Sequence, residues 1–272
     1  MRRTPRQRST DAWGRPAVRG VSPIFVGLVA AFLGSGAALW FEVGSDVAGV
    51  FVYVLTGWLV SLCLHEFAHA LTAHRGGDDT VVGKGYLRLD PTKYGHPLLT
   101  FVLPLFFLVT GGLPLPGGAV LIETHRLRNR FRDMLVSAAG PATNVIAAIV
   151  LLTVVSAAGP EAIWTLDQPR AAFWAALTLL AYLQVASVVL NLLPIPGLDG
   201  YGIIEPYLSD SARHTGAKIR PFGILLVFLL LYLPPVRDAF TAVVDFFPDT
   251  AGAPINGVYW GYDLFLFWRD WL

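Results

Sequence analysis

His65 and His69 stand four residues apart with Glu66 directly after the first, the pattern His-Glu-x-x-His. On a helix, residues four apart lie about 40° apart around the axis, so both imidazoles face one side and can share a metal ion. Glu66 then sits beside the first ligand, within reach of a water on that metal, where a hydrolytic site needs its general base. In a chain with six His and five Glu, the pattern is expected by chance only about 0.002 times. A catalytic zinc takes three protein ligands and keeps one position open for water. The third ligand must therefore come from elsewhere. His74 lies about 140° around the axis from His69, and Cys63 about 200° from His65, so neither faces the pair. Cys63 is the single cysteine and reads as core packing.

The elements that position these residues are apolar. The chain has 272 residues, 54% hydrophobic and only 14% charged, with mean hydropathy +0.57. Soluble domains carry about 25% charge. A soluble domain, a disordered chain and a disulfide scaffold are all excluded. Apolar stretches at 21–42, 47–75, 133–157, 171–193 and 219–235 are each long enough to span a bilayer. The stretch 97–120 carries Pro97, Pro104, Pro114 and Pro116 with Gly111, Gly112, Gly117 and Gly118, a composition that breaks helices.

Charge decides how these stretches cross. Arg2, Arg3, Arg6, Arg8, Arg15 and Arg19 make residues 1–20 a basic arm, which reads as a cytoplasmic anchor rather than a nucleic-acid binder. If 97–120 dips in and returns, 17 of the 20 basic residues fall on the arm's side, so that stretch is expected to be re-entrant. Aromatics crowd 236–272 (Tyr259, Trp260, Tyr262, Trp268, Trp271), which suggests an interfacial segment or a short last span. The expected fold is an all-α polytopic membrane protein with about six transmembrane helices, a re-entrant segment at 97–120 and a short cytoplasmic β-strand region at 80–90. Its organisation is the arm, 1–20, and one membrane-embedded domain, 21–272, with a core at 47–205. Arg outnumbers Lys 17 to 3, which points to a high-GC bacterium and its cell membrane.

Three ionisable groups inside an apolar span are costly unless paired, so the His-Glu-x-x-His cluster is a functional site by default. Its third ligand should lie at the same depth, about 15 Å below the cytoplasmic end, ten residues before Arg75 at 1.5 Å each. Asp199 answers this. It ends the run Asn191-Leu192-Leu193-Pro194-Ile195-Pro196-Gly197-Leu198-Asp199-Gly200 at the cytoplasmic end of 171–193. Two prolines and two glycines there unwind the helix and free the backbone to place a carboxylate.

His65-Glu66-Phe67-Ala68-His69 on a transmembrane helix, followed far downstream by Asn191-x-x-Pro194-x-Pro196-x-x-Asp199-Gly200, resembles the site-2 protease family of intramembrane zinc metalloproteases. Between them, Gly140 with Asn144 four residues on is similar to that family's middle motif. The resemblance covers roughly 47–205. It departs where Tyr201 follows Asp199-Gly200, a place the family often gives to a second glycine. It implies one zinc ion held by His65, His69 and Asp199, Glu66 as catalytic base, and Asn144 and Asn191 lining the site or holding the substrate backbone.

The function expected is an intramembrane zinc endopeptidase that cuts transmembrane protein substrates within the lipid bilayer and releases a cytoplasmic fragment. A helical substrate must unwind before its carbonyls can be attacked. The partly alternating 81–89 stretch is expected to offer a strand edge that receives it. Two other readings compete: a catalytically silent scaffold of the same family, and a metal-binding transporter with broken helices. Substrate identity and oligomeric state are not encoded.

Overall fold

The computed structural model describes residues 20–94, 106, 120–159, 169–253 and 255–271. Residues 1–19 of the arm and nearly all of the expected re-entrant stretch 97–120 lie outside them. The long helices are α1 (Pro23–Trp40), α2 (Asp46–Gly76), α3 (Arg130–Ala158) and α4 (Ala171–Asn191). Shorter ones follow: α5 (Asp199–Ile204), α6 (Asp210–Ile219), α7 (Gly223–Tyr232), α8 (Pro234–Thr250) and α9 (Ile255–Phe265). Their starts are written in the sequence. Ser22 and Ser45 cap α1 and α2 through their hydroxyls, Pro23 occupies the first turn of α1, and Asn129 Oδ1 accepts the Arg132 N–H at 2.9 Å to open α3.

Among the described residues, five helical runs are long and apolar enough to cross a membrane: α1, α2, α3, α4 and Asp210–Tyr232, which joins α6 to α7. The protein is an all-α, multi-pass membrane protein. In the C-terminal region, α8 has 17 residues and α9 only 11. Helix α9 folds back on α4 and α2, burying Val258 and Phe265.

Helix α4 is central, packed by α2, α3, α8 and α9. Its buried Ala171, Ala172, Ala175, Ala176, Ala181 and Ala186 let neighbouring backbones approach closely, which is how helices associate where lipid removes the hydrophobic drive. The chain enters α2 and leaves α1 at one end of this bundle, the far end. The other end, here the site end, gathers the C-terminus of α2, the start of α3, the end of α4 and α5.

The strand region expected at 80–90 is not there. Thr80–Gly83 is one helical turn and Tyr86–Arg88 a 3₁₀ turn, and no strand occurs among the described residues. The β-type side chains are overruled by local bonding. Buried Asp78 accepts from the Thr80 N–H at 3.0 Å and the Thr80 hydroxyl at 2.6 Å, a turn-forming pattern. Leu89 has a left-handed φ of 54°, which an extended strand does not allow.

Candidate metal centre

Helix α2 carries His65, Glu66 and His69 on adjacent faces, all three buried. The two imidazoles meet edge to face, and their Nε2 atoms are 3.0 Å apart. Asp199 arrives from the first turn of α5. Its Oδ2 lies 3.2 Å from His65 Nε2 and its Oδ1 3.3 Å from His69 Nε2. The turn 192–198 delivers it: Pro194 and Pro196 end α4, and Gly197 takes φ +107°, a value L side chains avoid.

This geometry fits zinc. Ligand atoms about 2.0–2.1 Å from a tetrahedral zinc are about 3.3 Å from one another, and the three separations here are 3.0, 3.2 and 3.3 Å. A cradle is also present. Gly140 of α3 faces the pair, and a Cβ there would overlap both Nε2 atoms.

Each imidazole is oriented from behind. His69 Nδ1–H donates to the Val136 carbonyl at 2.7 Å. His65 Nδ1–H donates to Asn144 Oδ1 at 2.5 Å. Both rings thus turn Nε2 towards Asp199, the arrangement in which outer hydrogen bonds fix a ligating histidine. Glu66 Oε2 accepts the Val120 N–H at 3.1 Å.

The expected site residues fall into two groups. His65, His69 and Asp199 share one centre, with Glu66 next to it in α2. Asn144 joins them through His65. Asn191 is buried in the last turn of α4, at the head of the turn that carries Asp199. Sequence reading passed over Gln184 and Ser61, which bond to Asn144, and the main-chain partners Val136 and Val120. A signal for Gln184 existed: an amide in the middle of a mostly apolar span demands a partner.

A cavity of about 410 Å³ reaches the centre from the site end, lined by His69, Asp199, Val120, Asp133, Glu205 and Arg220 among others. Arg220 is half exposed and grips Glu205 through both carboxylate oxygens, at 2.7 and 2.6 Å.

The profile of peptidase family M50 matches residues 53–159, the span that holds His65, Glu66, His69, Gly140 and Asn144. The Mycolicibacterium smegmatis protein whose assigned name is zinc metalloprotease Rip2 is 42% identical over 254 residues, covering 92% of this chain and 95% of its own. The chain belongs to peptidase family M50. The Mycobacterium tuberculosis protein of the same assigned name is also 42% identical, over 255 residues, with 92% of this chain and 95% of its own length covered. The Bacillus subtilis relative, assigned the name zinc metalloprotease YwhC, is 34% identical over 193 residues, covering 68% of this chain and 81% of its own. No solved structure matches the chain. Membership of this family agrees with the resemblance to the site-2 proteases seen in the sequence.

Proposed function

We propose that this M50 enzyme, a zinc metalloendopeptidase, hydrolyses peptide bonds of transmembrane protein substrates inside the bilayer. The observation that carries the reading is a set of three ligand atoms at zinc spacing, two of them on a helix long and apolar enough to cross a membrane, with the Glu66 carboxylate in the same turn.

His65, His69 and Asp199 hold the metal. Zinc in that position supplies Lewis acidity, making a water acidic near neutral pH and polarising a scissile carbonyl. Glu66 moves the protons. With Oε2 fixed by the Val120 N–H, its other oxygen takes a proton from the attacking water and returns it to the leaving amine. Asn144 holds His65 in register, and Asn191 lines the substrate's approach.

Substrate unwinding has a platform. Segment 120–123 runs without helix along the cavity, pinned from behind: Lys84 donates to the Leu121 carbonyl at 2.8 Å, and the Glu123 N–H donates to Asp78 Oδ2 at 2.9 Å. The Ile122 main chain has no partner among the described residues. This segment, rather than 81–89, receives the unwound substrate by β-addition.

The site end also carries Arg75, Lys84, Arg88, Lys93, Arg126, Arg128, Arg130 and Arg132 at helix ends and connections. By the positive-inside rule it faces the cytoplasm. The N-terminal arm, 1–20, then lies there too as the anchor of a single domain, 21–272, and the released fragment is cytoplasmic.

The test compares wild type with Glu66→Gln, both purified in detergent. The variant keeps its zinc, while cleavage of membrane substrates drops about 10²–10⁴-fold, the range for loss of a general base. Equal cleavage by both proteins removes Glu66 from the mechanism.

A further inference from the structure

We infer that Gln184 is a positioning residue that, with Ser61 and through Asn144, selects the His65 tautomer able to ligate metal. The inference rests on the reading of His65 as a zinc ligand.

Gln184 belongs to α4, Asn144 to α3, and Ser61 to α2, one turn before His65. Gln184 and Asn144 are buried, at 1% and 4% exposure. Asn144 Nδ2 donates to Gln184 Oε1 at 2.8 Å and to Ser61 Oγ at 3.3 Å. The Ser61 hydroxyl donates to the same Gln184 Oε1 at 2.5 Å. Gln184 Oε1 is therefore the acceptor on which the network ends. Together with Ser61 Oγ it takes the amide hydrogens of Asn144 and leaves Asn144 Oδ1 facing His65.

That orientation has a chemical consequence. An oxygen facing His65 Nδ1 requires that nitrogen to carry the proton, so Nε2 is bare and can ligate. An amide's oxygen and nitrogen are nearly equal in size, so shape alone does not decide which one faces the ring. If position 184 offers no acceptor, Asn144 can turn over and present Nδ2 to His65. Nδ1 must then be the bare nitrogen, and the proton moves to Nε2, the atom the metal needs. His69 carries no such risk, because the Val136 carbonyl that accepts its Nδ1–H is main chain in α3 and cannot exchange oxygen for nitrogen. Of the two histidines, His65 depends on a side-chain network for its protonation site.

The experiment uses the full-length protein in detergent as wild type, Gln184→Glu, Gln184→Met and His65→Ala. Zinc affinity is measured by chelator competition, and the ring nitrogens of His65 are followed by NMR in the zinc-free protein. Glu keeps an acceptor of the same length; Met keeps the length without a comparable acceptor. Gln184→Met should weaken zinc binding about 10–100-fold, as outer-shell losses do, and move the His65 signals towards the Nε2–H form. Gln184→Glu should stay within a few-fold of wild type. Wild-type affinity in Gln184→Met overturns the inference, and so does an equal loss in Gln184→Glu, because Gln184 is then only a bond between helices. Wild-type affinity in His65→Ala overturns the ligand assignment itself. Loss there with none in Gln184→Met sinks the inference alone.

Discussion

At the far end of the bundle, rings join the helices; at the site end, directed polar bonds join them. Trp40 of α1 meets Phe173 of α4 edge-on at 5.2 Å, Phe173 meets Trp174 at 5.4 Å, and Phe32 stacks on Tyr53 across α1 and α2 at 4.5 Å. Arg170 lies 4.1 Å over the Trp40 ring, a cation–π contact closing that end. At the site end, His65, Asn144, Gln184 and Ser61 tie α2, α3 and α4 together with hydrogen bonds. The difference separates stability from chemistry. Ring packing tolerates small shifts and holds the helices at a distance. The polar network fixes which atom faces the metal and tolerates little.

Gly140→Ala should give the largest separation of the two. Alanine favours a helix over glycine by about 1 kcal/mol, so α3 loses nothing as a helix. The added methyl overlaps both Nε2 atoms, and zinc binding should fall at least about 100-fold, the upper end of outer-shell effects. Shifting the two buried imidazoles costs about 1–3 kcal/mol, partly offset by the gain in helix propensity, so the zinc-free variant should melt only slightly below zinc-free wild type. Wild-type zinc affinity in this variant shows that the space beside Gly140 is not the cradle.

Trp174→Ala should do the reverse. Trp174 is buried among Trp40 and Phe173, and truncating a buried Trp costs about 3–5 kcal/mol. The thermal midpoint in detergent should drop while zinc affinity per folded chain stays that of wild type. A matching loss of zinc affinity denies that the two ends are independent.

The half of the protein that a sequence makes legible follows the same division. His65, Glu66 and His69 could be placed because helical geometry fixes residues four apart without help from the rest of the fold. Asp199 could be placed beside them because Pro194, Pro196 and Gly197 announce an unwound turn, and basic residues set its depth. Segment 80–90 was misread. Val81, Val82 and Tyr86 favour strands, but the decision lay with Asp78, whose carboxylate bonds Thr80 two residues on and the Glu123 N–H from a distant segment. The Gln184 network was invisible because its members come from positions 61, 144 and 184, and nothing local to any of them names the others.

The smallest effect lies at the edge of the site end. Segment 120–123 holds Glu66 through Val120, and its own anchor is Glu123, gripped by Arg126 at 2.5 Å and Lys84 at 3.3 Å. Arg126 foremost, with Lys84, holds the Glu123 carboxyl below its usual range. A carboxyl lowered in the folded state contributes stability that is fully present above its unfolded value, about 4.3, and is lost as pH falls through the folded value. From pH 8 to 5 the anchor should therefore not weaken. Arg126 is exposed and Glu123 and Lys84 are half-buried at the surface, and surface pairs of this kind are weak and screened by salt. Glu123→Gln should accordingly speed hydrogen exchange of the Val120 amide only about two- to threefold at pH 7. The gap to wild type should close as acid protonates Glu123 in the wild-type protein. A gap that widens on acidification would mean that Glu123 is anchored by its neutral form, and that the grip on Val120 comes from Asp78 alone.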